Sequence, residues 1–416
     1  MDQYIRYAFY TLLSFKTLTS FYLNFRNTQY VLRHRDQVPE NFKDMITLEE
    51  HQKAADYTIE KAIWGRVCYL VDLVLLLAWI GGGLSLLDET VRGFGIQNEI
   101  LVGLSFFGLL SLISMIINMP MSLYSTFVIE EKFGFNKMTI KMYFIDSLKQ
   151  MALGLVLGVP LLCLILWLML KLESTWWIWA FVSMTSFQII LMWIYPTLLA
   201  PLFNKFTPLE EGELKGRIEG LLEKINLKFK GILVMDASKR SAHGNAYFTG
   251  FGANKRIVFF DTLLNQLSPS EAEAVLAHEL GHFKHKHILK SIVISILGSL
   301  LAFYILGLLY HWQPFYQGHG VNHISSYMGL ALFSMVSGVY TFWTTPIFTW
   351  LSRKNEFEAD RFAAKYSSAD QLIGSLIKLY KENASTLTPD PVFSAYYHSH
   401  PPASIRIKTL EKLGDT

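Results

Sequence analysis

Cysteine and charge are the two scarce features of this chain. Its 416 residues include two cysteines, Cys68 and Cys163, and each lies inside a long apolar stretch. Two such thiols argue against a structural disulfide and lack the paired spacing of a thiolate metal site. Charged residues make up only 17% of the chain, the net charge is +3, and no basic stripe marks a nucleic-acid-binding surface. We therefore expect no nucleic-acid partner.

Apolar residues are abundant instead. They make up 51% of the chain, and the mean hydropathy of +0.29 is too high for an ordinary soluble protein. About seven runs reach the roughly 20 residues that a bilayer requires, the first of them interrupted by Arg6 and Lys16. The candidate spans are Tyr4–Leu23, Val67–Leu87, Ile100–Val128, Met151–Leu172, Trp176–Leu199, Ile288–Tyr310 and Tyr327–Leu351. The pattern predicts an all-α polytopic membrane protein.

Lysine and arginine predict how the chain is oriented in the membrane. They are frequent in the loops after the first and third spans, whereas residues 311–326 contain neither. We therefore expect the long loops, residues 200–287 and residues 352–416 to face the cytoplasm, with the N-terminus on the other side. The membrane is expected to be the inner membrane in a bacterium, or the endoplasmic reticulum membrane in a eukaryote.

The same pattern divides the chain into four regions. Residues 1–200 are expected to hold five spans, and residues 201–287 a small cytoplasmic α+β region. Residues 288–351 contain the sixth and seventh spans, and residues 352–416 form a helical tail. Because the last two spans form a hairpin, the chain on either side of it returns to the same membrane face.

The motif H-E-x-x-H occurs directly before the sixth span. His278 and His282 are four residues apart, so on a helix their imidazoles point the same way and can share one Zn²⁺. Glu279 lies beside the first of them, where its carboxylate can take a proton from a water that the metal activates. The stretch Ser268–Glu271 has the features of a helix start. This spacing predicts a zinc-dependent hydrolytic site.

A catalytic zinc needs a third protein ligand and one open position. Glu356 and Asp360 are four residues apart just after the seventh span, so one can bind the metal while the other braces a ligand histidine. Glu358 points elsewhere on the same helix and is the rival ligand. The span hairpin brings this segment back to His282, which predicts a zinc at or near the membrane boundary.

Short β-rich runs lie between the fifth span and the motif. Gly231–Met235 is predicted to be a strand, and the runs 245–250 and 256–260 to form a β-hairpin about a turn at Gly252–Lys255. An exposed edge of that hairpin can hold a peptide as an added strand. Alternatively, the hairpin only covers the catalytic helix. His243 is expected to be a polar loop residue and not a ligand.

The tail brings further cationic and polar groups towards the same face. The guanidinium of Arg406, with His400, can stabilise the oxyanion that forms during peptide hydrolysis. Alternatively, Pro401 and the next residue only start a terminal helix, and Arg406 pairs with a surface carboxylate. His285 and His287 are expected to be interfacial cations or polar residues, not ligands.

These motifs together carry a family resemblance. Asn245-Ala246-Tyr247, the H-E-L-G-H helix, the span hairpin, the segment 356–360 and His400-Pro401-Pro402 with Arg406 occur in one order and at one spacing. In this respect the chain resembles the type I CAAX prenyl proteases, integral-membrane zinc endopeptidases with seven spans. The resemblance implies a large chamber enclosed by the spans, with the zinc at its cytoplasmic end. The lack of extra loops and of a C-terminal retention signal favours a bacterial member.

Roles for individual residues follow from the same resemblance. It implies that His278, His282 and Glu356 bind the zinc and that Glu279 is the base, while Asp360 braces a ligand. It also implies that Asn245, Ala246 and Tyr247 contact the substrate backbone, and that His400 and Arg406 assist at the scissile bond. The implied reaction removes the last three residues from a farnesylated cysteine. Bacteria are not expected to prenylate proteins. The expected substrates therefore include chains with apolar tails as well as prenylated ones.

Two other functions remain open from the sequence. A membrane quality-control metalloprotease of the HtpX type shares both metal-binding segments, but it would have about four spans and a shorter N-terminal half. A transporter or scaffold with structural zinc belongs to a different class. A closed structural site needs a fourth side-chain ligand, and no cysteine lies near the motif to supply one.

Overall fold

The computed structural model describes residues 1–227, 229–249 and 256–414. The helices of the N-terminal half are α1 (Asp2–Arg33), α2 (Leu48–Ala78), α3 (Leu84–Arg92), α4 (Glu99–Tyr124), α5 (Ile140–Lys171) and α6 (Trp176–Ile194). Those of the C-terminal half are α7 (Glu213–Lys224), α8 (Asp261–Gln266), α9 (Pro269–Lys284), α10 (His287–Leu309), α11 (Gln313–Gly318), α12 (Ser326–Tyr340), α13 (Thr345–Tyr366), α14 (Ala369–Glu382), α15 (Pro391–Tyr397) and α16 (Ala403–Gly414). The strands are β1 (Phe206–Pro208), β2 (Gly231–Met235), β3 (Ala246–Thr249) and β4 (Arg256–Phe260).

Five helical segments in the described part of the chain are long and apolar enough to cross a membrane. They are Leu48–Arg92, Glu99–Glu130, Ile140–Lys171, Trp176–Leu202 and His287–Leu309. A π-helical turn at Trp79–Gly83 joins α2 to α3 in the first of these segments. Helix α12 and Phe342–Tyr366, which meet at a bend of 45°, pass the same test together and make a sixth span if the bent pair is counted as one. The protein is therefore a helical, polytopic membrane protein.

Helix α1 corresponds to the first expected span and differs from the others in composition. Its 32 residues are enough to cross a bilayer, but it is not apolar enough to be counted with the six. The two cations that interrupt it are satisfied by backbone carbonyls. Arg6 donates to the carbonyl oxygen of Gln317 at 2.8 Å, and the Lys16 ammonium donates to that of Gly338 at 3.3 Å. The prediction of about seven spans therefore depends on α1.

The spans bury little of their surface against one another. In the first five segments, only 6–22% of the most apolar stretch is buried inside the protein. The rest of that surface faces lipid or the space between spans. The enclosed chamber that the family resemblance implies requires this kind of open packing.

The described strands form one four-stranded sheet in the order β1-β2-β4-β3. Strand β2 runs parallel to β4, and β3 pairs antiparallel with β4, Ala246 opposite Phe259 and Tyr247 opposite Val258. These pairings confirm the predicted strand and hairpin, while the turn expected at Gly252–Lys255 lies outside the described residues. Among the described strands β3 pairs only with β4, so it is an edge strand of the sheet.

The sheet and helices α7, α9 and α14 enclose the core of the C-terminal half. Helix α9 lies at its centre, with ten of its 16 residues buried. A capping box starts this helix, since the Ser268 hydroxyl accepts from the Glu271 amide and the Glu271 carboxylate accepts from the Ser268 amide. The core thus fixes the position and the axis of the helix that carries the H-E-x-x-H motif.

Helix α13 packs directly on α9. At their contact a Cβ on Gly281 would lie 2.8 Å from the Cα of Ala359, a distance that no real side chain tolerates. Glycine at this position allows the two backbones to approach closely. The close approach explains how ligands on two helices, 74 residues apart in sequence, can reach one metal ion.

Candidate active site

The structure brings three ligand-type side chains from α9 and α13 into one cluster. His278 Nε2 lies 3.2 Å from His282 Nε2. Glu356 lies against both, with Oε2 3.4 Å from His278 Nε2 and Oε1 3.3 Å from His282 Nε2. This cluster, here called the ligand triangle, is the one metal-binding group found among the described residues.

The dimensions of the ligand triangle fit a tetrahedral metal ion. Ligand atoms bound to one zinc at about 2.0–2.1 Å and at tetrahedral angles lie roughly 3.3–3.4 Å from one another. The distances in the triangle match this spacing. Glu356 is only 3% exposed, and its Oε2 accepts no hydrogen bond although it is buried. Nη1 of Arg406 lies 3.5 Å from this oxygen without forming a hydrogen bond, and a metal ion in the triangle would supply the missing partner.

His278 is braced from behind by two buried charged groups. Its Nδ1 lies 2.9 Å from Oδ1 of Asp360, a residue with no exposed surface. Arg406 of α16 holds Asp360 in place, donating from Nε and Nη2 at 2.9 and 2.6 Å. Burial lowers the pKa of His278, but the carboxylates of Asp360 and Glu356 outweigh burial and raise it to about 9. Asp360 thus fixes the orientation that presents Nε2 to the ligand triangle.

His282 has a separate brace that the sequence did not reveal. Its Nδ1 lies 3.0 Å from His287 Nδ1, and His287 Nε2 lies 2.9 Å from Glu358 Oε2. If His282 binds through Nε2, its Nδ1 carries the proton and donates to His287, which then donates to Glu358. Of the two roles expected for His287, an interfacial cation or a polar residue, the structure shows a buried polar residue at the start of α10, 3% exposed. It lies outside the ligand triangle, and its exclusion from the ligands stays a prediction.

A left-handed residue creates this second brace. Lys286 has φ 58°, which ends α9 and starts α10 in a new direction. The first residue of α10, His287, is thereby turned back against His282. The sequence shows only that a histidine follows a ligand histidine after five residues. On an uninterrupted helix the two side chains would not meet, so this spacing predicts a contact only if the helix is known to break at Lys286. Glu358 is occupied by this brace, whereas Glu356 belongs to the ligand triangle.

Glu279 lies in the wall of a cavity of about 480 Å³. The same cavity is lined by His282, by Tyr247 of the edge strand β3 and by residues of α10 such as Ile288 and Ile292. We call it the α10 cavity. The carboxylate is therefore open to solvent and substrate, beside the ligand triangle and facing the strand.

The other predicted substrate contacts lie along the start of β3. Asn245 is exposed, Ala246 is buried and Tyr247 is half-buried. Asn245 lines a second cavity of about 760 Å³, which His400 and Lys61 also line. We call it the α2 cavity. The edge strand therefore leads from one cavity to the other past the ligand triangle.

His400 and Arg406 both lie near Glu356 but differ in their exposure. His400 Nε2 lies 3.4 Å from Glu356 Oε1, and its side chain is 62% exposed. Arg406 is 6% exposed and pairs with Asp360, so the alternative of a surface ion pair is wrong. Two of its nitrogens are used by Asp360, and Nη1 lies 3.5 Å from Glu356 Oε2. His400 is open to a substrate, whereas Arg406 acts on its neighbours from within the protein.

Comparisons with known proteins agree with this geometry. The family described as CAAX prenyl protease N-terminal, five membrane helices, matches residues 27–205, and Peptidase family M48 matches residues 208–414. CAAX prenyl protease 1 of Saccharomyces cerevisiae is 35% identical over 422 residues, covering 95% of this chain and 92% of the relative. The human CAAX prenyl protease 1 homolog is 32% identical over 424 residues, covering 90% of this chain and 89% of the relative.

A solved structure shows the same fold over nearly the whole chain. The crystal structure of S. mikatae Ste24p superposes with a TM-score of 0.89 at 34% identity and covers 98% of each chain. Membership of an M48 peptidase family implies a metal ion and a peptide or protein substrate, and the spans imply a lipid bilayer. The five-helix N-terminal match distinguishes the chain from the HtpX type, for which about four spans were expected. The chain belongs to the CAAX prenyl proteases of peptidase family M48 and is an integral-membrane metalloendopeptidase.

Proposed function

We propose that this protein is a zinc endopeptidase that cuts peptide bonds near the C-terminus of isoprenylated CAAX-type chains or of chains with apolar tails. The names of its relatives, CAAX prenyl protease 1 in yeast and its human homolog, support the substrate class. The observation that carries the zinc assignment is the ligand triangle, with its tetrahedral spacing and two imidazoles. The cluster takes one zinc per chain.

The side chains around the ligand triangle have different catalytic roles. When bound, zinc polarises the scissile carbonyl and makes a water more acidic. Glu279 accepts the proton of that water and passes it to the leaving amine. The backbone of Asn245, Ala246 and Tyr247 holds the substrate as an added strand, which aligns the scissile bond with Glu279. His400, exposed beside Glu356, donates to the developing oxyanion.

Arg406 contributes through position. Its buried guanidinium group holds Asp360 against His278 and keeps the Glu356 carboxylate facing the ligand triangle. We therefore assign it a positioning role, in place of the direct contact with the oxyanion that the sequence suggested. Asp360 has the same kind of role towards His278.

The α10 cavity suits the apolar part of the substrate. Ile288 and Ile292 of a membrane span line it, so an isoprenoid or apolar side chain can leave the site along α10 towards lipid. Each CH₂ group buried there adds roughly 0.8 kcal/mol of binding free energy. Lysine and arginine counting supports a catalytic region on the cytoplasmic side. The membrane is the bacterial inner membrane or the endoplasmic reticulum membrane, according to the source.

The proposal is tested with purified protein in lipid, incubated with a farnesylated CAAX peptide and with its unprenylated counterpart. We expect zinc-dependent release of the last three residues, with the farnesylated peptide cut more efficiently through a lower KM. Substituting Glu279→Gln leaves zinc near stoichiometric and lowers turnover by about 10²–10⁴-fold, since an amide cannot accept the proton. Glu219→Gln, at an exposed position of α7, is the matched control.

Each competing function gives a different result in this assay. Equal turnover of both peptides, together with cutting of unfolded membrane proteins, is expected of a quality-control protease. Bound zinc without cleavage of any peptide is expected of a transporter or scaffold. Wild-type turnover by the Glu279→Gln variant contradicts the assignment of the base.

A further inference from the structure

The two cavities that flank the ligand triangle differ in charge. The described lining of the α10 cavity contains Glu279 but no lysine or arginine. The described lining of the α2 cavity contains Lys61 but no aspartate or glutamate. The imidazoles of His398 and His400 also line the α2 cavity. An anionic group on the substrate is therefore accommodated in the α2 cavity and repelled from the α10 cavity.

Lys61 is held in the α2 cavity by a small polar network. Its ammonium donates to the Tyr57 hydroxyl at 3.1 Å and lies 3.7 Å from Glu130 Oε1. Tyr57 in turn donates to Glu130 at 2.6 Å. Among the described residues these are its two polar side-chain partners, so at most two of the three donors of the ammonium are used, and the side chain remains 52% exposed. One N–H is therefore free to bind a further acceptor in the cavity.

The same network ties Lys61 to the segment that leads into the edge strand. His243 Nε2 lies 3.5 Å from Glu130 Oε2, and its Nδ1 lies 3.0 Å from the Asn383 side-chain oxygen. The ring also stacks on Phe135 at 4.3 Å. Glu130 thus stands between Lys61 and His243, which fixes the lysine close to the chain three residues before β3 begins.

Strand direction decides which end of a substrate enters the α2 cavity. A peptide added antiparallel to β3 runs from Phe248 towards Ala246 and then past Asn245 towards His243. Three extended residues span about 10 Å, the same length of chain that separates Ala246 from His243. A three-residue leaving peptide therefore ends beside Lys61. A parallel peptide would place its C-terminal carboxylate next to Glu279 instead.

We propose that the α2 cavity binds the leaving C-terminal peptide and that Lys61 pairs with its terminal carboxylate. Lys61 is then a specificity-determining residue, which restricts efficient cleavage to bonds about three residues from a free C-terminus. The inference rests on the proposed peptidase function. A charge-assisted hydrogen bond of this kind changes affinity by about 10- to 100-fold.

The experiment compares peptides that end in a free carboxylate with the same peptides ending in a carboxamide. For the wild-type holoenzyme we expect kcat/KM to be about 10- to 100-fold higher for the free acid. Lys61→Met removes that preference by lowering cleavage of the acid while the amide is cut as before. Lys61→Arg retains it. Lys43→Met is the matched control, because this exposed lysine pairs with Glu40 on the surface.

A second measurement separates this inference from the peptidase proposal. Binding of the acid and amide forms of the product tripeptide to the holoenzyme is measured by titration calorimetry, which needs no turnover. If the farnesylated peptide is not cleaved, the proposed function fails, but a preference for the acid that Lys61→Met abolishes still supports the carboxylate site. Equal binding of acid and amide by the wild type overturns the inference. So does a loss in Lys61→Met that is the same for both forms.

Discussion

The two histidines of the ligand triangle are held in place by different parts of the molecule. His278 is braced by Asp360 and Arg406, which are 0% and 6% exposed and belong to the packed C-terminal half. His282 is braced by His287, the first residue of a membrane span, and by Glu358, whose side chain is 38% exposed. One brace is therefore anchored in a core, and the other at the start of a span.

The difference shows how a membrane peptidase can position its metal with loosely packed spans. The buried brace has no access to water, so its removal leaves uncompensated charge and is costly. The partly exposed brace can be replaced in part by water. Helix α10 contacts the ligand His282 through His287. We therefore expect the effects of substitutions to fall in a definite order, from the ligand triangle to the buried brace and then to the exposed one.

The largest effect is expected for Glu356→Ala. This change removes a ligand and leaves two histidines, so the protein purified with zinc should lose it, together with all peptidase activity. Glu358→Ala is the matched variant on the same helix and should retain most of its zinc, since Glu358 only supports His287. Metal content by atomic emission measures both. If Glu356→Ala retains zinc and Glu358→Ala loses it, Glu358 is the metal ligand and Glu356 is not.

Asp360→Asn is expected to weaken zinc binding by about 10- to 100-fold, because the amide no longer stabilises the Nδ1 proton of His278. The same change leaves the Arg406 guanidinium buried without its carboxylate, which costs about 3–5 kcal/mol of stability. Chelator competition measures the first effect, and the thermal midpoint of the metal-free protein the second. Unchanged values of both would show that the buried brace is dispensable.

The sequence predicts the residues of the buried brace but not the contacts within it. Two residues four apart on a helix share a face, so the histidine pair and the pair Glu356 and Asp360 follow from spacing. Nothing local to the chain shows that Gly281 allows α13 to lie against α9. The partner of Arg406 likewise depends on how α16 packs. A surface ion pair was an equally good expectation until that packing was known.

The exposed brace was missed for a related reason. A straight helix through residues 278–290 would place His287 away from His282, and an interfacial role was the natural expectation. The left-handed conformation of Lys286 turns the chain, and no sequence motif predicts this conformation. The spans show the same limit. Hydropathy predicts seven, but the first of them, α1, is not apolar enough to be counted with the others, and its Arg6 and Lys16 donate to carbonyls of distant residues.

His287→Ala is expected to weaken zinc binding by about tenfold, at the low end of the range for a residue that orients a ligand. The cavity left by the imidazole admits water, which can accept the Nδ1 proton of His282. His287→Gln should recover part of the loss, since its amide can accept from His282 and donate to Glu358. His285→Ala is the control, because His285 is 44% exposed on its side chain and lies 3.9 Å from Glu358. A His285→Ala loss as large as that of His287→Ala contradicts this brace.

The last effect expected is a pH dependence of metal loading to which the protonated His278 contributes. Burial lowers the pKa of His278, but Asp360 and Glu356 outweigh it and raise the pKa to about 9 in the metal-free protein. Because the folded pKa is raised, the imidazolium stabilises the metal-free fold fully below about pH 6.5, and this contribution is lost as the pH rises through about 9. Zinc must displace that proton, so the apparent affinity should fall about tenfold per pH unit below pH 9.

Titration calorimetry in two buffers of different ionisation enthalpy should show about one proton released per zinc at pH 7.5. In Asp360→Asn the pKa of His278 moves down and fewer protons are released. Wild-type loading that releases no protons would mean that His278 is already neutral in the metal-free protein.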